Sequence, residues 1–335
     1  MTDIAPVPIV DSRKGRSPGQ SATLFMGKYG ALIVLALLVV VFTIMEPKYF
    51  LTWGNIVQIF NQSALAAIVS CGLTLVLAAN QFDLSVGNTA SLSGIAVAAL
   101  LIAGVPIPLA ILLAVSIGLV VGLVNSLLVT RLGVNALVAT LGVGSVAVGA
   151  NYLISGGAAQ PFGAYVPEFT QISVGTWLGI PKNVYYMVVV VAVLWVLLNR
   201  TVLGRNMQAV GGNAEASRLV GVPVRGVTTS AFVICSICAA ITGVLLAAVV
   251  GSGQATGGDG YTLQAFAAAF LGTAVMREGQ FHILGTVVGV ITVATGFNGL
   301  AIIGVPAFAQ FLFQGLVLIA AVSFSTVARK LTRAG

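Results

Sequence analysis

Charged side chains are what this sequence has least of. Only 7% of its 335 residues are Asp, Glu, Lys or Arg, and 58% are hydrophobic, whereas about a quarter of the residues of a soluble domain are charged. The mean hydropathy is +1.07, and the apolar residues form runs close to the ~20 residues that cross a bilayer. The composition excludes a soluble globular protein and predicts one polytopic domain of membrane-spanning helices.

The residue types that enzymes use for catalysis are almost absent. The chain has one histidine, His282, and eight acidic residues, which are scattered over predicted loops and tails. A membrane protease or metal enzyme needs several ionisable groups at bilayer depth, and only Asp83 comes near that depth. We therefore predict no enzymatic activity, no metal and no cofactor in this chain.

No phosphate-binding loop is present either. The pattern G-x-x-x-x-G-K-[ST] requires Ser or Thr after the lysine, but Tyr29 follows Gly27-Lys28, so the chain cannot use ATP by that route. An ion-coupled transporter usually buries a charged residue within a span, and the sequence has no clear example. If the chain moves a solute, a partner protein is expected to supply the energy.

Small residues within the apolar segments predict close helix packing. Gly118-x-x-x-Gly122 and Gly285-x-x-x-Gly289 each place two glycines on one helix face, for packing within this chain or with a second copy. Cys235 and Cys238 have the spacing of a redox or zinc pair, but no second pair exists and the segment is apolar. Packing is therefore their favoured role.

The apolar residues form ten segments that can be drawn as membrane spans. Their approximate limits are 29–45, 55–79, 84–104, 108–130, 136–155, 184–199, 229–250, 262–276, 283–303 and 308–327. With the N-terminus in the cytoplasm, every Lys and Arg except Lys48 and Lys182 falls on the cytoplasmic side, as the positive-inside rule requires. An even number of spans returns the C-terminus to the cytoplasm.

The predicted organisation is a membrane domain between two cytoplasmic tails. Residues 1–27 are polar and rich in Pro, Gly and Ser, so we expect a disordered tail, and residues 329–335 form the C-terminal tail. The apolar segment after Lys28 is too long for a signal-peptide core and no cleavage site follows it. The membrane domain therefore covers 28–328, with a basic loop at 200–228.

Two blocks of four spans start on opposite sides of the membrane. Spans two to five and seven to ten are thus candidates for inverted repeats, which are typical of transporters. The connections 80–87 and 251–261 are polar or glycine-rich, and irregular backbone at membrane depth is tolerated only when it is buried in protein or lines a wet cavity. The long outer connection, 156–183, is expected to be a lid or an interfacial segment.

Charge returns abruptly in residues 199–228. The charged residues of this loop are Arg200, Arg205, Glu215, Arg218 and Arg225. Two interpretations remain open at this point. The loop is either a solvated basic segment that holds the protein's orientation or a contact element for a cytoplasmic partner.

A short helix is predicted inside this loop. Gly211-Gly212 interrupts the chain, Asn213 can cap by accepting from an N–H two or three residues on, and 214–219 are good helix formers. Gly221 and Pro223 end the helix. Because a helix this short is marginal in water, we expect it to dock against a partner.

Several amides lie within apolar spans. They are Asn61, Gln62, Asn125, Asn151, Asn298, Gln310 and Gln314. Hydrogen bonding between helices is the commoner use of such groups, whereas amides that face a pathway suit a polyhydroxylated solute. Asp83 either caps the third span or pairs or gates near the inner mouth. The candidate path residues are Asn61, Asn151, Asn298, Asp83 and Tyr261.

Several short stretches follow one another along the chain. They are Asp83-Leu-Ser-Val-Gly87, Ala139-Thr-Leu-Gly142, Ser155-Gly-Gly157, Gly211-Gly-Asn213 with Glu215 to Gly221, Gly260-Tyr261 and Asn298-Gly299 with Gly304-Val305. Taken in this order, they resemble the permease subunits of bacterial ATP-binding-cassette sugar importers of the ribose, xylose and galactose type. They span about 50 to 325, in that family's order.

The resemblance implies an all-α polytopic membrane protein of the type II ABC importer permease kind, with ten helices and inverted repeats. It implies a homodimer in the bacterial inner membrane that works by alternating access. Two cytoplasmic ATPase subunits would use the ATP, and a periplasmic or lipid-anchored binding protein would deliver a monosaccharide. The short helix would be the coupling helix, whose residues are Gly211, Gly212, Asn213, Glu215, Ala216, Arg218, Leu219 and Gly221.

Two segments depart from the family's pattern. Asn80-Gln81-Phe82 replaces glycines and isoleucine, and 273–279 replaces a glycine- and serine-rich turn. Alternatives to a sugar permease are a related permease for a nucleoside, a signalling furanone or a branched-chain amino acid, and a self-contained ion-coupled carrier. A nucleic acid is not an expected partner, because the Lys and Arg residues lie between spans.

Overall fold

A computed structural model describes the backbone of residues 18–275 and 280–333 and the side chains of residues 29–275 and 280–323. Within these ranges the chain is built of helices joined by short connections. The helices are α1 (Pro18–Met45), α2 (Trp53–Ala78), α3 (Val86–Ile102), α4 (Ile107–Thr130), α5 (Ala136–Ser155), α6 (Pro167–Val174), α7 (Lys182–Arg200), α8 (Val202–Gly212), α9 (Ala214–Leu219), α10 (Val224–Val250), α11 (Asp259–Gly272), α12 (Ile283–Ile302) and α13 (Phe308–Arg333).

Each of the ten predicted apolar segments overlaps a helix, although α11 ends at Gly272, before the predicted limit at 276, which lies outside the described residues. Six of these helices are long and apolar enough to cross a membrane, namely α2, α4, α5, α7, α10 and α12. Three further apolar stretches are shorter, and they lie at Tyr29–Met45, Val86–Ile102 and Phe308–Ser323. The multi-helix membrane architecture is therefore as predicted, while the number of spans stays a prediction.

The terminal helices extend beyond the predicted membrane domain. Helix α1 begins at Pro18, so residues 18–27 are helical where a disordered tail was expected; residues 1–17 lie outside the described part. Proline is favourable at the first position of a helix, where its missing N–H is not needed. Helix α13 continues to Arg333, past the predicted limit at residue 328.

Helix α2 forms the centre of the bundle. All its residues from Ser63 to Leu77 are buried, and it packs against α7, α10, α11 and α12. Its polar side chains are satisfied locally, since the hydroxyls of Ser70 and Thr74 donate to carbonyls four residues earlier. The Thr74 hydroxyl also hydrogen-bonds that of Thr286 on α12 at 2.7 Å, a contact type worth roughly 0.6 kcal/mol in a membrane protein.

The glycine motifs pack helices of this chain against one another. A Cβ on Gly118 or Gly122 of α4 would overlap the backbone of α10, and one on Gly289 of α12 would overlap the Ala268 carbonyl of α11. Cys235 and Cys238 are buried free thiols on α10. Both kinds of pattern therefore serve helix packing within the chain.

The contacts between helices follow the proposed repeat. Helix α10 packs against α3 and α4 as α2 packs against α11 and α12, and α3 contacts α4 and α5 as α11 contacts α12 and α13. Helix α2 ends, and α10 begins, at the end of the bundle that carries α9. The two blocks, α2–α5 and α10–α13, thus run in opposite directions.

The second helix of each block is short, and the two second helices start against each other. Helices α3 and α11 have 17 and 14 residues, or about 25 and 21 Å at 1.5 Å per residue. Their first turns meet: Gly87 N donates to Thr262 Oγ1 at 3.1 Å, and Gly258 N donates to Ser91 Oγ at 2.8 Å. The irregular segment before α3 is therefore mostly covered by protein, whereas the segment before α11 is partly exposed.

The long connection between α5 and α7 is a packed cap. It contains β1 (Gln160–Pro161), α6 and a hairpin of β2 (Thr176–Trp177) with β3 (Ile180–Pro181), and β1 pairs with β4 (Ser252–Gly253). Phe162 and Phe169 are fully buried, with their rings edge to face at 5.3 Å. The Ser173 hydroxyl donates to the Leu245 carbonyl of α10 at 3.1 Å. These contacts hold the cap on α10.

We expect Gly289→Ala to lower the melting temperature of the detergent-purified protein. The new methyl group would overlap the Ala268 carbonyl, and such overpacking costs about 1–3 kcal/mol. The control is Gly315→Ala in α13, where no atom lies within 4 Å of the added group. Equal melting temperatures for the two variants would contradict the close packing of α11 on α12.

Candidate functional site

A cleft of about 440 Å³ lies between α2, α11, α12 and α13. Its walls are made of amide, aromatic and small side chains. The lining residues are Gln62, Gly257, Gly260, Tyr261, Gln264, Ala294, Phe297, Ala301 and Gln310. None of them carries a charge, so the cleft offers hydrogen-bond donors and acceptors on a neutral surface.

Helical spacing brings the polar residues of this cleft together. Gln264 lies about one turn after Gly260 and Tyr261 on α11, so it is a neighbour of both on the helix surface. Gln62 on α2 and Gln310 on α13 reach the same space from two other helices. Polar groups within membrane spans face a protein interior or a water-filled cavity. Three glutamines on three apolar helices therefore make this cleft a polar recess rather than a lipid-facing surface.

The second recess is a groove of about 540 Å³ at the opposite end of α2. Along α2, Gln62 in the cleft and the terminal Ala78 are separated by about 24 Å, at 1.5 Å per residue. The groove lies between α9 and the adjoining ends of α4 and α10. Its lining residues are Gln81, Val129, Thr130, Ala214, Glu215, Arg218, Val224, Arg225 and Thr228.

The basic loop folds into two helices rather than one helix after a loop. Gly211 and Gly212, expected to interrupt the chain, are the last two residues of α8. Helix α8 forms because Met207 and Val210 bury an apolar side against the bundle. The chain turns at Asn213, whose side chain accepts from Ala216 N at 2.9 Å and caps α9. This cap and the limits of α9 are as predicted from the sequence.

Helix α9 projects from the bundle as an exposed tip. Leu219 and Val220 are 83% and 80% exposed. Arg218 and Glu215 form an exposed pair at 3.8 Å. Gly221 follows with φ +87°, a left-handed conformation that glycine adopts without strain. The tip thus combines apolar and charged groups that no described part of this chain covers.

The structure brings one of the five candidate path residues to the cleft, namely Tyr261. Asn61 lies in α2 next to Gln62 but does not line the cleft. Asn151 is fully buried in α5 and donates to the Ala255 carbonyl at 3.2 Å. Asn298 in α12 donates to Asn55 Oδ1 at 2.9 Å. The last two asparagines thus bridge parts of the protein.

Asp83 lies in the connection before α3 and is fully buried. Its Oδ1 accepts from Ser85 N at 2.9 Å and from the Ser85 hydroxyl at 2.6 Å. The Ser85 hydroxyl in turn accepts from Asn125 Nδ2 of α4 at 2.9 Å. Asp83 therefore orders the residue that precedes α3, instead of bonding the second or third N–H of that helix, and it lies away from the cleft.

Gln264 is the polar cleft residue that sequence reasoning missed. Its position, three residues after Tyr261 and four after Gly260, was the signal that could have found it, because that spacing defines one helix face. Gln62 and Gln310 were recognised as amides within spans but were not assigned to a path. Among the described residues no cluster of His, Cys, Asp or Glu could hold a metal.

Comparison with known proteins gives a consistent picture. Residues 55–322 match the sequence model of a family described as "Branched-chain amino acid transport system / permease component". The chain is 33% identical over 308 residues to the D-allose transport system permease protein AlsC of Escherichia coli, covering 92% of this chain and 94% of that protein.

Two further relatives are similar over most of their length. The ribose import permease protein RbsC of Bacillus subtilis is 34% identical over 299 residues, covering 89% of this chain and 92% of the relative. The L-arabinose transport system permease protein AraH of Escherichia coli is 32% identical over 306 residues, covering 91% and 92%. With its bundle of apolar helices and its polar cleft, the chain therefore belongs to this family of multi-pass membrane permeases.

Proposed function

We propose that this chain is the membrane subunit of an ATP-driven monosaccharide importer and that the cleft is part of the sugar's path. The observation that carries the proposal is the neutral, amide-rich lining of the cleft. Sugars are uncharged and rich in hydroxyl groups, which amide side chains recognise by donating and accepting hydrogen bonds. Phe297 and Tyr261 add aromatic surface of the kind that packs against a sugar ring.

A branched-chain amino acid is the second candidate solute, because the description of the matched family names it. An amino acid carries an ammonium and a carboxylate, and burying either charge without a partner is costly. The side chains that line the cleft include no Asp, Glu, Lys or Arg. The relatives described above are named for D-allose, ribose and L-arabinose. Both observations favour a sugar.

The energy source in this proposal is a separate ATPase that docks on α9. The exposed Leu219, Val220, Arg218 and Glu215 supply apolar and charged groups for such an interface. The chain itself uses no cofactor and catalyses no reaction, and the ATP is hydrolysed by the partner. Asp83 does not offer an ion-coupling alternative within the cleft, because it lies in the connection at the other end of α2.

The remaining parts of the assembly follow from the same proposal. A second permease copy completes the membrane unit, and a periplasmic or lipid-anchored binding protein presents the sugar at the end of the bundle that holds the cleft. Both termini lie in the cytoplasm of a bacterial cell, on the side of α9, as the distribution of Lys and Arg favours. Movement of α9 in response to ATP then exposes the path alternately to the two sides.

Reconstitution into liposomes tests the assignment. With its cognate ATPase, its binding protein and ATP, the chain is expected to accumulate one of radiolabelled D-ribose, D-allose or L-arabinose, and not L-leucine. The chain alone, in a proton or sodium gradient, is expected to accumulate none of them. Gradient-driven uptake without the ATPase would reject the proposal, and ATP-driven uptake of L-leucine alone would favour the second solute.

Substitution of Gln264 by Ala is expected to reduce ATP-driven uptake about 3- to 10-fold, because one hydrogen bond to the sugar is worth about 1 kcal/mol. The control is Asn199→Ala, which removes an amide at the end of α7, away from the cleft. Initial rates are measured at equal amounts of folded protein. If both variants transport at the same rate, Gln264 does not contact the solute.

Arg218→Glu is expected to weaken binding of the ATPase at least tenfold in a pull-down titration, while insertion and folding are unchanged. The Arg218 side chain is exposed on α9 beside Glu215. Reversing its charge places two acidic groups side by side on the docking surface. Arg131→Glu, another exposed arginine at the C-cap of α4, is the control. Equal loss of affinity in both would indicate a general charge effect instead of docking at α9.

A further inference from the structure

The contact between Gly211 and the end of α2 is closer than a side chain permits. A Cβ added at Gly211 would overlap the carbonyl oxygen of Ala78, the last residue of α2, and would lie 3.4 Å from Asn80 N. Gly211 is itself the penultimate residue of α8 and is separated from α9 by Gly212 and Asn213. The backbone that carries the exposed tip therefore touches the backbone of the central helix directly.

Helix α8 is held at both ends by such contacts. At its start, a Cβ on Gly204 would overlap the carbonyl oxygens of Leu197 and Leu198 at the end of α7. Between the two glycines, Met207 and Val210 are buried. Because packed protein interiors deform little, α8 should move as a rigid unit with the ends of α7 and α2.

The end of α2 is also rigid. Asn80 has φ +56°, and two hydrogen bonds close the turn: Asn80 N donates to Leu77 O at 2.9 Å and Gln81 N to Val76 O at 3.0 Å. This is the Schellman pattern that ends many helices. Three residues later, Leu84 N donates to Thr140 Oγ1 of α5 at 3.0 Å. A displacement at Ala78 is thus passed along α2 and to the start of α3.

Helix α9 packs less closely on the bundle than α8 does, and Ser217 is its one buried residue. The groove of about 540 Å³ separates it from the ends of α4 and α10, and its covalent link to α10 runs through Gly221, around which no atom lies within 4 Å of an added Cβ. Close packing connects α8, not α9, to the bundle. A movement of α9 is therefore transmitted to the bundle mainly through α8.

We infer that Gly211 is a positioning residue for transport, through which movement of α9 reaches α2 and, at the other end of α2, the cleft at Gln62. This inference rests on the proposed function, since it requires an ATPase on α9. The inference distinguishes docking of the ATPase from the use of its movement for transport. Binding of the ATPase depends on the surface of α9, whereas conversion of its movement into transport depends on the contact of Gly211 with Ala78.

The test uses the full assembly of this chain, its cognate ATPase and its binding protein in proteoliposomes. The probe is whichever of radiolabelled D-ribose, D-allose or L-arabinose the wild-type assembly accumulates. ATP hydrolysis and uptake are measured together, and their ratio gives the sugar molecules imported per ATP. Gly211→Ala is expected to lower this ratio at least fivefold and to leave ATPase binding within twofold of wild type.

Two comparison variants separate this role from general damage to the fold. Gly315→Ala adds the same methyl group in open space and is expected to keep the wild-type ratio. Gly204→Ala adds it against α7 at the other end of α8, so it is expected to lower the yield of folded protein and change the ratio less than Gly211→Ala does. A ratio for Gly211→Ala equal to that of Gly315→Ala would overturn the inference.

A further variant covers the case in which Gly211→Ala does not fold. Asn80→Gly adds no atom and keeps the left-handed conformation, but it loosens the turn on which Gly211 rests. We expect it to reduce the sugar imported per ATP two- to fivefold with ATPase binding intact, and a wild-type ratio would then reject the inference. If the wild-type assembly shows no ATP-driven uptake at all, it is the proposed function that fails.

Discussion

The bundle depends on the contact between the first turns of α3 and α11, the second helices of the two repeats. Helices α3 and α11 begin against each other, at a contact where backbone N–H groups need hydrogen-bond partners from the protein. The hydroxyls of Ser91 and Thr262 provide partners across the contact, accepting from Gly258 N and Gly87 N. Glycines at 87 and 258 let the two first turns approach so closely. The crossing point of the two repeats is therefore a set of reciprocal hydrogen bonds, and the remaining helices pack around it.

This construction produces different surroundings at the starts of the two helices. Before α3, the buried Asp83, Ser85 and Asn125 fill the space with a hydrogen-bonded chain that joins the connection to α4. At the start of α11, Gly257 and Gly260 leave space, and Tyr261 and Gln264 line it. Inverted repeats thus supply one geometry twice, and the side chains decide that one position is packed and the other is open.

Much of the architecture was predictable because it follows from local rules. The limits of the apolar segments, the cap at Asn213 and helix 214–219 depend on residues that are close in sequence. The helical state of Gly211-Gly212 was not predictable in this way. Its cause is tertiary, since the burial of Met207 and Val210 and the contact with Ala78 stabilise a helix that two glycines disfavour by about 1 kcal/mol each.

The orientation of polar residues around each helix was the other property that the sequence could not provide. In a soluble helix the polar face points to water, but lipid and protein interior are both apolar, so membrane helices show little periodicity. Asn151 and Asn298 were therefore indistinguishable from Gln62 and Gln310 until their neighbours were known. The structure distinguishes them by their contacts. The two asparagines donate to Ala255 and Asn55, whereas the glutamines line the cleft. An amide in a span becomes a candidate for solute contact only where the surrounding helices leave its hydrogen-bonding groups room.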